Sequence, residues 1–135
     1  MIRLVITDDH KLVREAWALL LSRDKGISIV GMCENGREII EFCQNQPPDV
    51  VLMDINMEPI NGIDATRNIR QFNSDVKIIG ISVHADLPYV NALVEAGANG
   101  YVTKNSSGSE MSLAIRKVME GETYYCAEVE ALNKV

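Results

Sequence analysis

Five short runs rich in Val, Ile and Leu, at Ile2–Ile6, Ile27–Met32, Val50–Met53, Lys77–Ile81 and Gly100–Val102, are each followed by a longer segment whose apolar residues recur at helical spacing. This alternation limits the fold more than any other feature of the chain. Runs that are apolar without strict alternation suit parallel strands covered on both faces, and parallel neighbours need a crossover, usually a helix. The pattern predicts an α/β domain of five strands and five helices. A chain of 135 residues supports one such core and has no room for a second full domain.

The helical segments carry readable ends. In the first, Leu12, Val13, Ala16, Leu19 and Leu20 are predicted to share the packed face, and Gly26 to end the segment. Trp17, with no chemical partner in view, reads as packing or partner surface. Asn61 is predicted to cap the third helix and Asp86 the fourth, while Ser107 with Glu110 matches a capping box for the fifth. Gly97 and Gly121 are predicted helix ends.

Charge and composition exclude several functions. A formal charge of -6 argues against a nonspecific nucleic-acid surface, which needs Lys and Arg in excess. The longest apolar stretches fall far short of the ~20 residues that span a bilayer, and Met1 leads directly into a strand pattern, so a cytoplasmic protein with no membrane contact is expected. Cys33, Cys43 and Cys126 are odd in number and widely spaced, which fits reduced thiols better than a disulfide framework or a zinc site.

With right-handed crossovers, every strand of a parallel sheet ends at the same edge, where ligands tend to bind. Asp8 and Asp9 follow the first strand, Asp54 the third, Ser82 the fourth, and Thr103 and Lys104 the fifth. Carboxylates brought together repel by about 4 kcal/mol per close pair at an effective dielectric of ~20. Lys104 can offset one charge, and a hard divalent cation with oxygen ligands, Mg²⁺, the rest. With the cation on Asp8 and Asp9, Asp54 is free to act as a carboxylate nucleophile and take a phosphoryl group, giving an acyl phosphate. Ser82 can then donate a hydrogen bond to a phosphoryl oxygen. The plainer reading is that Asp8 or Asp9 only caps the first helix.

Taken together, "RLVITDDHKLVREAW", "VVLMDINM", "NGIDATRNIR", "IIGISVHAD" and "AGANGYVTK" resemble the response-regulator receiver domains of bacterial two-component signalling across essentially the whole chain. The stretches "DDHKLVRE" and "AGANGYVTKNSS" are most similar to the NarL/FixJ type, whose full-length members carry a C-terminal helix-turn-helix domain. The resemblance implies a flavodoxin-like, doubly wound five-stranded parallel sheet of order 2-1-3-4-5. It implies Asp54 as phosphoacceptor, and a Mg²⁺ site of Asp8, Asp9, Asp54 and the backbone carbonyl of Asn56. Ser82 becomes the switch hydroxyl, Lys104 the phosphoryl-stabilising lysine, and Tyr101 the aromatic that turns inward once Ser82 moves. The implied partners are a sensor histidine kinase or phosphotransfer protein, met on the exposed side of the first helix around Lys11, Arg14 and Glu15, and a second copy in a homodimer. DNA would be reached only through a C-terminal domain absent from this chain. Residues 1–122 are then the receiver, and 123–135 a tail or the start of a linker; a stand-alone receiver acting through protein contacts is the alternative.

Two positions depart from the family pattern. Glu58 stands where Pro is more usual, which either adds an acid near Asp54 that disturbs cation binding or simply points a side chain into solvent, and Val83 is bulkier than the small residue common after the switch serine, which would narrow access to the phosphoryl site. His84 is a candidate modulator of acyl-phosphate hydrolysis, whereas His10 reads as loop packing. Rival functions leave other marks. A flavin or nucleotide binder would place Gly, Ser or Thr after the first strand, and a haloacid-dehalogenase-like phosphatase a D-x-D motif. "TDDHK" has neither, so no enzyme acting on a separate substrate is expected.

Overall fold

The structure, a computed structural model, describes residues 1–83 and 86–133. In chain order these form β1 (Ile2–Thr7), α1 (Lys11–Leu21), β2 (Ile27–Cys33), α2 (Gly36–Asn45), β3 (Val50–Asp54), α3 (Gly62–Arg70), β4 (Lys77–Ser82), α4 (Leu87–Ala96), β5 (Gly100–Thr103), α5 (Gly108–Met119), β6 (Tyr124–Tyr125) and α6 (Ala127–Asn133). The strands make one sheet of order β2-β1-β3-β4-β5-β6, and every pairing is parallel. All five predicted strands are present, in the flavodoxin-like order.

Strand periodicity divides the core in two. Leu4, Ile6 and Leu52 pack with Trp17 and Leu21 of α1 and with Met111, Ala114, Ile115 and Val118 of α5. Val5, Val51 and Met53, one residue out of step, pack with Ile39 and Cys43 of α2 and with Ala65 and Ile69 of α3. All of β3 is buried, as a strand with helices on both faces must be. The three cysteines are free and buried, and burial pushes the Cys33 thiol up to about 12 and the Cys43 thiol up to about 11.

Cap geometry matches the sequence reading in most places. Asn61 accepts the Asp64 N–H and Ser107 the Glu110 N–H, while Gly97 closes α4 at a φ of 113° and Gly121 follows α5 at 88°. The Glu110 carboxylate does not complete the box; it accepts the Tyr124 hydroxyl at 3.0 Å. Asp86 holds the N-cap position of α4 without a side-chain hydrogen bond to the helix. α1 ends at Leu21, five residues before Gly26, which instead sits in a turn where its N–H meets Asp24. The packed face of α1 is also rotated from the expected one: Arg14, Trp17 and Leu21 are buried, whereas Leu12 is 80% and Leu19 65% exposed.

Beyond the five expected strands and helices, residues 123–133 add β6 and α6. The Tyr124 N–H donates to the Asn99 carbonyl and the Cys126 N–H to that of Tyr101, so the segment continues the sheet beside β5. Cys126 and Val129 are buried in the larger half of the core. A two-residue strand carries no periodicity for a sequence to display. Val129→Asp is therefore expected to cost about 3 kcal/mol, by placing an unpaired charge among apolar neighbours. A urea-unfolding midpoint equal to wild type would show that α6 is not docked.

Candidate functional site

The order of the strands reverses between β1 and β3, and a crevice opens there at the carboxyl ends of the sheet. β1 delivers Asp8 and β3 delivers Asp54, each 1% exposed, while Asp9 stands outward with its side chain 39% exposed. Lys104, just past β5, reaches across to both buried acids. Its Nζ lies 3.0 Å from Asp8 Oδ2 and 3.4 Å from Asp54 Oδ2. The convergence expected from strand ends is thus present for Asp8, Asp54 and Lys104.

The loops add local contacts. Asp8 Oδ1 accepts the His10 N–H at 2.9 Å, and Asp54 Oδ1 accepts the Asn56 N–H at 3.2 Å. Neither acid caps α1, whose N-cap is His10 and makes no side-chain cap bond. The His10 ring is 67% exposed, as a surface loop residue, and lies 2.9 Å from Asp9 Oδ1 and 3.2 Å from Asp8 Oδ1, beside the acidic cluster. Burial, and next the Asp8 carboxylate, push the Asp54 carboxyl up to about 6, against the pull of Lys104 and the Asn56 N–H. For Lys104 burial disfavours the ammonium, but the two carboxylates outweigh it and raise its pKa.

Among the described residues, Asp8, Asp9, His10 and Asp54 each offer a ligand atom within 4.8 Å of the others. Asp8 Oδ2 is buried and accepts no aligned hydrogen bond, although Lys104 is near enough to balance charge. Three carboxylates against one ammonium leave the site negative. Such a donor set, mostly oxygen and under-neutralised, fits a hard divalent cation such as Mg²⁺. Glu58 is exposed, follows Met57 into a cis peptide with Pro59, and is not part of the cluster. It lines an open cleft of about 490 Å³ with Asp9, His10, Asn56, Met57 and Asn61.

On the β4–β5 side, Ser82 is buried and its hydroxyl lies 2.6 Å from that of Tyr101. Tyr101 is fully buried. The resemblance expects this ring to turn inward as Ser82 moves; in this structure it lies inside, against the Ser82 hydroxyl. Gly80, beside it, makes room for Leu93: a Cβ there would stand 1.9 Å from Leu93 Cδ2, but only in ordinary contact, 3.5 Å, with Tyr101 Cδ2. Val83 is 56% exposed and borders a small cleft with Ile55, Asn56 and Ser82. His84 lies outside the described residues.

On α1, Lys11 and Glu15 are exposed, with Nζ and Oε1 3.8 Å apart. Arg14 is not on that surface. It is 8% exposed and donates from Nη1 to the Asp8 carbonyl at 2.7 Å. Sequence reasoning missed it because an arginine in a helix ordinarily reads as a solvated charge; its spacing from Asp8, one helical turn past the N-cap, was the available signal.

No helix among the described residues is long and apolar enough to cross a membrane. The family model of the response regulator receiver domain matches residues 4–116. The chain is 39% identical over 129 residues to the response regulator UvrY of Escherichia coli, and 36% identical over 129 residues to the response regulator GacA of Pseudomonas aeruginosa. Each alignment covers 96% of this chain but only 59% and 60% of those proteins, so the chain spans about three-fifths of the curated relatives it matches. The structure is similar, at a TM-score of 0.92 and 30% identity, to a LuxR-family two-component response regulator from Aurantimonas sp. SI85-9A1, covering 100% of this chain and 99% of that one. Sheet order, strand-end chemistry and these relatives agree: the chain belongs to the response regulator receiver domain family.

Proposed function

We propose that Asp54 accepts a phosphoryl group from the phosphohistidine of a sensor kinase or phosphotransfer protein. The observation that carries this reading is Lys104, whose ammonium stands between two buried carboxylates, Asp8 and Asp54, at the switch point of the sheet. A carboxylate oxygen of Asp54 attacks phosphorus, the P–N bond to the donor imidazole breaks, and the imidazole nitrogen keeps the bonding pair. The product is an acyl phosphate. Asp8, Asp9, Asp54 and the Asn56 carbonyl would hold Mg²⁺, which supplies positive charge to the phosphoryl oxygens. Lys104 balances the remaining charge, Ser82 donates to a phosphoryl oxygen, and Val83 borders the path by which water reaches it. The domain turns over no separate substrate.

The phosphorylated form is a shifted population of the same fold, read at the surface beside Tyr101 by a second copy or by a C-terminal DNA-binding domain that controls transcription. The test is the intact mass of the protein after incubation with a small acyl phosphate. A single phosphoryl adduct is expected, dependent on Mg²⁺, labile to hydroxylamine and absent from Asp54→Asn. No adduct, where another receiver is labelled under the same conditions, would favour a receiver that works by binding alone.

A further inference from the structure

We infer that Arg14 is a positioning residue for the acid pair, setting the directions from which Asp8 and Asp9 meet the cation. The inference rests on the Mg²⁺ reading above. Side chains on a helix lean toward its N-terminus, and Arg14 lies one turn inside α1, its own N–H bonded to the His10 carbonyl at 3.1 Å. Its guanidinium therefore reaches back over the loop that carries the acids and donates to the Asp8 carbonyl at 2.7 Å, a charge-assisted bond in a buried setting.

The Asp8 main chain is held at both ends. Its N–H donates to the Cys33 carbonyl at 3.1 Å and its carbonyl accepts from Arg14, so the peptides before and after Asp8 both have fixed planes. Fixing the first directs the Asp8 side chain toward Lys104; fixing the second sets the start of Asp9. The other guanidinium nitrogen lies 3.5 Å from Glu34, a residue 66% exposed just past β2, which gives the planar group a second anchor. No carboxylate of the cluster touches Arg14. It acts through the backbone, as partners of metal ligands commonly do.

A lysine cannot replace it. An ammonium is a point donor on a flexible stem, without the planar fork that bonds the carbonyl and faces Glu34 together. The experiment titrates Mg²⁺ against the fluorescence of Trp17, which lines the same groove as Lys104, in wild type, Arg14→Met and Arg14→Lys. Half-saturation is expected to shift upward about 10-fold in Arg14→Met and by a smaller factor in Arg14→Lys. The Mg²⁺ dependence of the acyl-phosphate adduct should shift in parallel while its plateau stays at the wild-type level. Val118→Ala, a core variant that loses stability away from the cluster, should leave half-saturation unchanged. Wild-type half-saturation in Arg14→Met, or an equal shift in Val118→Ala, would overturn the positioning role. Wild-type protein that does not respond to Mg²⁺ at all would overturn the cation reading and the role of Arg14 with it.

Discussion

Gly62→Ala is expected to destabilise the protein by about 3 kcal/mol and to depress phosphorylation of the molecules that remain folded. Gly62 opens α3 directly beneath the end of β3 that carries Asp54, its N–H bonded to the Ile55 carbonyl at 2.9 Å. A Cβ at this position would stand 2.2 Å from the carbonyl oxygen of Asp54, 2.9 Å from Ile55 Cα and 3.0 Å from the Asp54 carbonyl carbon. All three are backbone atoms, which no rotamer change can move aside. Either α3 withdraws, opening its packing against α2, or the Asp54 peptide tilts and carries the carboxylate away from Lys104. Gly108→Ala is the control, because the nearest atom to its Cβ is a side-chain carbon of Leu20 at 3.2 Å. Urea unfolding of the two variants checks the prediction, and equal midpoints would refute it.

Asp54→Asn should make the metal-free protein more stable at neutral pH. The folded-state pKa of Asp54, about 6, lies above its ordinary value of 3.8, so between these values the folded form holds a proton that the unfolded form has released. Stability then falls as pH rises through that window. Above it the ionised, buried carboxylate costs about 3 kcal/mol, taken as two pKa units at 1.36 kcal/mol each. Asparagine removes the term. In the presence of a chelator, the variant is expected to unfold at higher urea than wild type at pH 7.5, with the difference shrinking toward pH 4. Added Mg²⁺ should narrow the gap at pH 7.5 by favouring the ionised wild type. Coincident wild-type and variant midpoints at pH 7.5 would show that Asp54 bears no such cost.

Much of the site was legible because parallel strands end together. Asp8, Asp54, Ser82 and Lys104 sit at the ends of runs that could be read from apolar composition alone, and the sheet brings those ends to one edge. What escaped notice depends on tertiary contacts that periodicity does not record. Leu12 and Leu19 match a helical stripe, yet they face solvent, while Arg14 is turned in because the Asp8 carbonyl needs a donor. Asp86 has the chemistry of a cap and does not use it. The close approach of Leu93 to β4 depends on Gly80, which the sequence shows only as a glycine within a strand. The segment "GETYYCAEVEALN" offered too short a pattern to separate a tail from a docked strand and helix.

The closeness of Ser82 and Tyr101 bears on what the proposed switch would consist of. Two hydroxyl oxygens 2.6 Å apart share one proton along the line between them, and either can be its donor. Each has a single proton to give. If, as proposed, Asp54 is phosphorylated and Ser82 gives its proton to a phosphoryl oxygen, a proton between the pair would be the phenol's. Burial raises the pKa of that phenol, so it keeps the proton it must offer. The ring need not travel. On that proposal the state of the aspartate would reach Tyr101 as the polarity of one hydrogen bond, at a side chain that lies entirely within the core.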